Sequence, residues 1–378
     1  MNDPSEMTEV LHYVGYDDDR GGIVSVVRAL AGAGRFRCRL GLNRGARQRR
    51  STPLPQQEFS PVNAEVIGPR LLWRTRAVAR EAREWLVADS ARIFHGHSRA
   101  GLLVALWLRR AGEKRVVATV HSYGRQRWFY RWAARRLDDH VFWLSPEMKR
   151  HYGFGDGSWA RCIPGCVPLK ESDGRRPPTE RGVRLRLGGI GALVRVKRWE
   201  LVLEALAALP EALGARVSFR HIGGEGHTSA ERSYADRLRA RTRRLGLDST
   251  VQWLGEQPSS AGLLDATDGL VVASHTDAFS VAMLEAWQRG VPVLAPDRGG
   301  AADAVAEGVT GWLFRHGDAQ ELSRVIAGLL ESDALERVRI GPETWRRFSA
   351  PVVAAQWAEV YAGLLLRTES NAALRVAR

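Results

Sequence analysis

Residues 268–311, DGLVVASHTDAFSVAMLEAWQRGVPVLAPDRGGAADAVAEGVTG, constrain the fold of this chain more than any other stretch. An apolar strand over Leu270–Ala273 runs into a polar loop, a helix opens near Phe279 or Ser280, and a second apolar strand follows over Val291–Ala295. That order is a βαβ unit. A loop leading from a strand's carboxyl end into a helix amino terminus aims free N–H groups and the positive end of the helix dipole at one point, which suits a phosphate. Asp277 sits in the loop, and Glu285, five residues beyond Ser280, lies roughly 7 Å along the helix axis. The two carboxylates bracket the phosphate point and can accept hydrogen bonds from hydroxyls at the two ends of a phosphate-linked ligand.

The rest of the chain repeats the same grammar. Thr8–Tyr16 reads as a strand, Asp17–Gly22 as a loop, and Ile23, Val26, Val27 and Leu30 as the buried face of a helix. Further strands are expected at Arg92–Phe94, Val116–Val120 and Val141–Leu144, which makes a first doubly wound α/β domain over 1–168. The stretch 168–181, PLKESDGRRPPTER, has the turn formers and charge of an interdomain linker. A second doubly wound domain, 169–345, would hold strands at Arg184–Ile190, Val217–Ile222 and Val251–Leu254, and a helix burying Trp199, Val202, Leu203 and Leu206. A closing helix is expected within 346–378, around Val352–Leu366.

At 378 residues the chain is too long for one ordinary core, and 44% hydrophobic with 26% charged residues describes a soluble globular protein. The longest tempting apolar run, Gly101–Leu108, is far short of the ~18 residues a spanning helix needs. The polar start MNDPSEMTEV carries no secretory signal, so a cytoplasmic location is expected. Cys38, Cys162 and Cys166 are read as ordinary thiols. The net charge of +14 is uneven: residues 1–168 carry 28 Lys+Arg against 16 Asp+Glu, the remainder 28 against 26. Only four of the 56 basic residues are Lys, so Lys197 in a motif position stands out.

Several glycine and histidine motifs fall at strand-to-helix turns. Gly21-Gly22 lets a phosphate approach the first helix closely. Gly191–Arg198, GALVRVKR, carries Lys197 between a strand and a helix, and Gly223-Gly224-Glu225-Gly226 follows the strand RVSFRHI, where backbone N–H groups can form a nest for phosphate oxygens. His97 and His121 each close an apolar run, at the strand ends where α/β sheets put ligands. In Arg109–Arg136, nine basic residues and one acid interleave with Trp128, Phe129, Tyr130 and Trp132; on a helix Arg127, Arg131 and Arg135 form one stripe. Such a face suits an anionic membrane surface or an anionic acceptor, and no nucleic-acid reading motif accompanies it.

The opening segment resembles the E-x7-E region of retaining glycosyltransferase family 4. The resemblance rests on Phe279, Glu285, Ala286, Gly290, Val291, Pro292, Val293, Gly299, Gly300, Gly308 and Gly311 in order; it departs at Asp277, where Glu is usual, and at Ser280, where Gly is usual. Gly191–Lys197 likewise resembles the family's Gly-Arg-Leu-x-x-x-Lys motif, with Ala192 in place of its Arg; Arg195 or Arg198 could supply the charge, and Arg195 is expected to because it lies in the same loop. The resemblance is dense over about 184–315 and thin in the first domain.

It implies the GT-B fold: two Rossmann-like doubly wound domains facing across a cleft, with the closing helix crossing back to the first domain. It implies transfer of a hexose with retention of configuration, from a UDP- or GDP-sugar to a glycan, lipid-linked or small acceptor, in polysaccharide or glycoconjugate synthesis, in the cytoplasm or at the inner face of the membrane. His121, Lys197, Asp277 and Glu285 would be catalytic; Gly21, Gly22, Arg195, Gly224, Phe279, Ser280 and Val281 would join Glu285 in holding the donor; and His97 would lie on the acceptor side. No cofactor is implied. Asp17-Asp18-Asp19, which invites comparison with the metal-binding acids of the other large glycosyltransferase fold, reads as solvated loop acids, and no obligatory metal is expected. A nucleotide-sugar epimerase of the same fold and a non-catalytic nucleotide-sugar-binding protein remain alternatives.

Overall fold

The computed structural model describes residues 7–48, 53–62, 68–124, 126–155, 161–169, 185–226, 228–275 and 277–376. The chain divides into two compact units, one of residues 1–169 with 348–378, the other of 170–347. Most of the linker expected at 168–181 lies outside the described residues.

The first unit is built on a parallel sheet of β1 (Glu9–Tyr13), β2 (Arg37–Asn43), β3 (Gln56–Phe59), β4 (Arg92–Gly96), β5 (Val116–Val120) and β6 (Val141–Trp143), in the order β3-β2-β1-β4-β5-β6. The second has β7 (Leu185–Ile190), β8 (Val217–Ile222), β9 (Val251–Trp253), β10 (Gly269–Val271), β11 (Val293–Pro296) and β12 (Gly311–Phe314), in the order β12-β11-β10-β7-β8-β9. Each sheet therefore winds outward from its first strand, then reverses. The reversal falls between β1 and β4 in one unit and between β7 and β10 in the other, and at such switch points the loops leaving adjacent strands diverge and leave room for a ligand.

Burial explains which segments take these shapes. Strands β1, β5 and β10 are buried along their whole length, as central parallel strands covered on both faces must be. The helix Trp199–Ala207 buries Trp199, Val202, Leu203 and Leu206 as its 3.6-residue period demands, and their core includes Phe219, Leu294 and Leu322. The first helix, α1 (Gly22–Gly32), departs from expectation at its start: Val24 is buried and Ile23 only partly so. The closing helix is longer than expected, Ala350–Val376. It packs on α1. Among the described residues, no helix is long and apolar enough to cross a membrane.

Asp17-Asp18-Asp19 is corrected by the structure. Asp19 is fully buried and its carboxylate meets Arg28 at 2.7 Å. Asp18 pairs with Arg20 at 3.0 Å, and Asp17 accepts from Asn43 Nδ2 at 2.7 Å. Asp17 remains exposed and Asp18 is half-buried, so the departure from solvated loop acids falls chiefly on Asp19, while all three acids fasten the loop after β1.

Candidate functional site

In the second unit the expected residues gather at the switch point. Lys197 follows β7 in a single 3-10 turn, Arg195–Lys197, and Asp277 lies in the loop after β10. Lys197 Nζ lies 3.0 Å from Asp277 Oδ2, which also accepts from Ser274 Oγ at 3.2 Å. Both partners are partly exposed, at 30% and 19% of their side chains, so the pair remains open to a third group. Arg195 is exposed on the same turn, and Ala192 is exposed earlier in the loop after β7. The next residue, Arg198, adopts left-handed backbone geometry with φ 51° as the helix Trp199–Ala207 begins.

The 277–280 loop is held from below by glycine. Gly299 has φ +80°, and a Cβ there would lie 2.3 Å from the Asp277 carbonyl oxygen; one on Gly300 would lie 2.3 Å from that of Ala278. Gly300 donates its N–H to Asp277 O at 3.2 Å. The close approach of two backbones is what fixes Asp277, and only glycine permits it. Phe279 and Ser280 are buried, and Ser280 caps the helix Val281–Trp287, its Oγ accepting from Met283 N. Glu285 is partly buried, and its Oε2 accepts a hydrogen bond from Ser260 Oγ at 2.6 Å.

The glycine loop after β8 is more engaged than a phosphate nest would be. Gly223 donates its N–H to Gly255 O at 2.8 Å, and Leu193 N donates to Gly224 O at 2.9 Å. With φ +147°, Gly223 comes so near residue 191 that a Cβ would be 1.9 Å from the Gly191 carbonyl oxygen. The loops after β7 and β8 are laced together, and the expected nest loses the Gly223 donor.

In the first unit Gly21 and Gly22 are exposed at the head of α1, with Gly21 at φ +104°. Across the switch point the expected histidines belong to a larger group. His12 on β1 is in register with His95 on β4. His12 Nδ1 lies 2.9 Å from His97 Nε2, and His97 Nδ1 lies 2.9 Å from His121 Nε2. His95 stacks on His97 with ring centroids 3.9 Å apart, and its nitrogens meet Tyr361 Oη at 2.7 Å and Thr119 Oγ1 at 2.8 Å. His121 is partly buried, whereas His97 is only 3% exposed. His97, expected on the acceptor side, has both its ring nitrogens engaged by other histidines.

Burial pushes the pKa of His12 and of His121 down to about 3, and those of His95 and His97 well below the ordinary value, with the neighbouring imidazoles adding to the effect for all but His121. The four rings are neutral at pH 7. Ligand nitrogens of His12, His95 and His97 lie within 4.8 Å of one another, a grouping compatible with a metal ion. A metal at His95 would have to displace Tyr361 or Thr119.

The helix α2 (Arg127–Leu137) carries the basic and aromatic stripe. It buries Phe129, Tyr130, Ala133, Ala134 and Leu137, and exposes Arg127, Arg131, Arg135 and Arg136 together with Trp128 and Trp132. Sequence reasoning missed His12, His95, Ser260 and Tyr361. His95 near the end of β4 and His97 just beyond it stand two residues apart, which is a readable sign; His12 becomes visible only through the β1–β4 register.

Two family models match the chain: residues 21–170 match Glycosyltransferase Family 4, and residues 178–344 match Glycosyl transferases group 1. Among curated proteins, D-inositol 3-phosphate glycosyltransferase 2 of Catenulispora acidiphila is 31% identical over 248 residues, covering 61% of this chain and 56% of the relative. N-acetyl-alpha-D-glucosaminyl L-malate synthase of Bacillus anthracis is 26% identical over 180 residues, covering 47% and 45%. The chain thus spans about half the length of these curated relatives. Among solved structures, Anabaena HepE in complex with UDP and glucose superposes with a TM-score of 0.70 at 19% identity, covering 94% of this chain and all of that one. Sucrose-phosphate synthase from Thermosynechococcus elongatus gives 0.74 at 18% identity, over 95% of this chain and all of that one. At these identities the likeness speaks to the fold, which is GT-B.

Proposed function

Because this chain belongs to the glycosyltransferases of family 4 and group 1, we propose that it moves a hexose from a nucleoside-diphosphate sugar to an acceptor hydroxyl with retention at the anomeric carbon. The observation that carries this reading is the Lys197–Asp277 contact, 3.0 Å across 80 residues of sequence, beside the Ser280-capped helix. A cation there offsets the charge that builds on the departing diphosphate as the bond from C1 to the phosphate oxygen breaks. Asp277 holds the Lys197 ammonium in place and shares it with the ligand, while its second oxygen serves the hydroxyls of the sugar. Glu285, oriented by Ser260, takes the ribose hydroxyls. Gly21 and Gly22 allow close approach of phosphate at the head of α1. The new bond from C1 to the acceptor oxygen forms on the face the diphosphate leaves, and the acceptor proton passes to a donor phosphate oxygen. No histidine has to act as base.

UDP is the nucleotide to test first, since HepE is described with UDP bound, and a phosphorylated polyol is the acceptor suggested by the names of the relatives. The exposed Arg and Trp face of α2 supports contact with an anionic membrane or an anionic, lipid-linked acceptor. Glycan or glycoconjugate synthesis on the cytoplasmic side would use such a surface.

One observation favours a second reading. The family's motif arginine is here Ala192, which is exposed and brings no charge, so a protein that binds the donor without turning it over is the alternative. Incubation of the purified chain with UDP-hexoses and inositol phosphates, read by UDP release and by the anomeric coupling of the product, separates the two. Product with the donor's configuration supports transfer with retention. Donor binding without UDP release, including with cell-derived lipid-linked acceptors, overturns it in favour of the binding protein.

A further inference from the structure

His12, His97 and His121 form a hydrogen-bonded chain made of imidazole alone, with both N···N distances 2.9 Å. A neutral imidazole has one N–H and one lone pair, so a ring that accepts on one nitrogen donates on the other. The chain consequently has only two internally consistent directions, and they differ at its buried end. His12 is fully buried, and its Nε2 finds no hydrogen-bond partner among the described residues. If the chain ran inward, that nitrogen would carry an orphaned N–H in the core. If it runs outward, the His12 proton is used on Nδ1 and Nε2 presents a bare lone pair. A buried donor without an acceptor is the rarer and costlier defect.

We propose that His12 and His97 are positioning residues that fix the tautomer of His121: His12 Nδ1–H donates to His97 Nε2, His97 Nδ1–H donates to His121 Nε2, and His121 is thereby held with its own proton on Nδ1. The displaced pKa values, which keep all three rings neutral at pH 7, agree with this direction but do not choose it. His95, pinned by Tyr361 and Thr119 and stacked on His97 at 3.9 Å, keeps the middle ring from turning. The consequence is chemical. His121 has its Nε2 lone pair filled, so it offers a ligand only an N–H, and the group it serves is an oxygen acceptor such as a sugar hydroxyl or a phosphate oxygen. The ligand in this statement rests on the glycosyltransferase reading; the tautomer does not.

The test is a long-range proton–nitrogen correlation spectrum of the full chain at neutral pH, with its histidines isotope-labelled and His121 assigned by its disappearance in His121→Gln. The expected pattern has Nδ1 protonated and Nε2 unprotonated in His12, His97 and His121. In His97→Phe the His121 signals should move toward the Nε2–H form that free imidazole prefers. In His97→Gln, whose amide can donate to Nε2, they should stay as in the wild type. A wild-type His121 protonated on Nε2, or one unmoved by His97→Phe, overturns the proposal. Should His97→Phe fail to fold, the wild-type spectrum alone decides the direction. Absence of sugar transfer with the tautomer pattern intact would remove the proposed reaction and leave this inference standing.

Discussion

Lys197 and Asp277 meet at 3.0 Å although they lie in loops that follow different strands, β7 and β10, at the point where the strand order reverses. The contact makes each residue's chemistry depend on the other. Lys197→Met should lower kcat/KM for the UDP-sugar by about 100-fold or more, the scale seen when a preorganised charge stabiliser is removed from an active site. A loss under threefold in steady-state UDP release would exclude Lys197 from the diphosphate site.

Asp277→Glu restores one methylene of reach without changing charge. Donor affinity by calorimetry should be held or improved, whereas Asp277→Asn should weaken the hold on Lys197 and reduce turnover by roughly tenfold, about 1.4 kcal/mol. Equal turnover in all three proteins would show that the contact is structural.

Glu285→Gln keeps the shape of the side chain and removes its charge. UDP binding should weaken about tenfold, within the range of a charge-assisted hydrogen bond. Ser260→Ala, which frees the Glu285 carboxylate, should have a smaller effect. The reverse ranking in titration calorimetry would mean that Ser260 is the ligand contact.

The buried histidines make stability sensitive to mild acid. Burial lowers the folded pKa of His12, His95, His97 and His121 in the first unit and of His221 in the second, so the unfolded chain binds more protons between its own pKa near 6.5 and the folded values, about 3 where a value is resolved. Stability is therefore fully present above about 6.5 and falls as pH drops through the window below it. The slope should steepen as pH falls and reach several kcal/mol per pH unit near pH 5, where each of the five rings contributes up to about 1.4 kcal/mol per unit. A Tm unchanged between pH 7 and pH 5 would contradict the neutral cluster.

The α2 face should bind anionic vesicles in a salt-dependent way. Replacing Arg127, Arg131 and Arg135 by Ala should cost about 3 kcal/mol, near 100-fold in partitioning, at about 1 kcal/mol for each arginine close to an anionic surface. Flotation of the wild type that is indifferent to anionic lipid would reduce this face to a solvated one.

Much of this was legible because parallel strands and their helices carry strong periods. β5 and β8 are as the sequence implies, and Trp199, Val202, Leu203 and Leu206 form the buried face expected of them. β3 escaped notice because QQEF has no apolar alternation, and β2 because Arg37 and Arg39 interrupt its apolar residues. Asp277, Glu285 and Lys197 could be found from motif spacing, whereas their partners Ser274 and Ser260 could not: a serine's role depends on which carboxylate the fold brings within 3 Å or so. His12 was hidden for a similar reason. One imidazole in an apolar strand says nothing until the neighbouring strand supplies another at the same height.

The hydrogen bond between His95 and Tyr361 spans 266 residues, and the Trp357 ring centroid lies 4.4 Å from that of the same imidazole. On a ribosome that separation becomes an interval of time. Every residue of the second unit, 170–347, is synthesised before the helix that completes the first unit's polar interior exists. The first six strands can emerge early, but His95 waits for Tyr361 with no partner on that side. The older half of the chain is finished last, and a nascent protein stalled short of residue 361 would carry a complete second unit beside a first unit still open at its histidines.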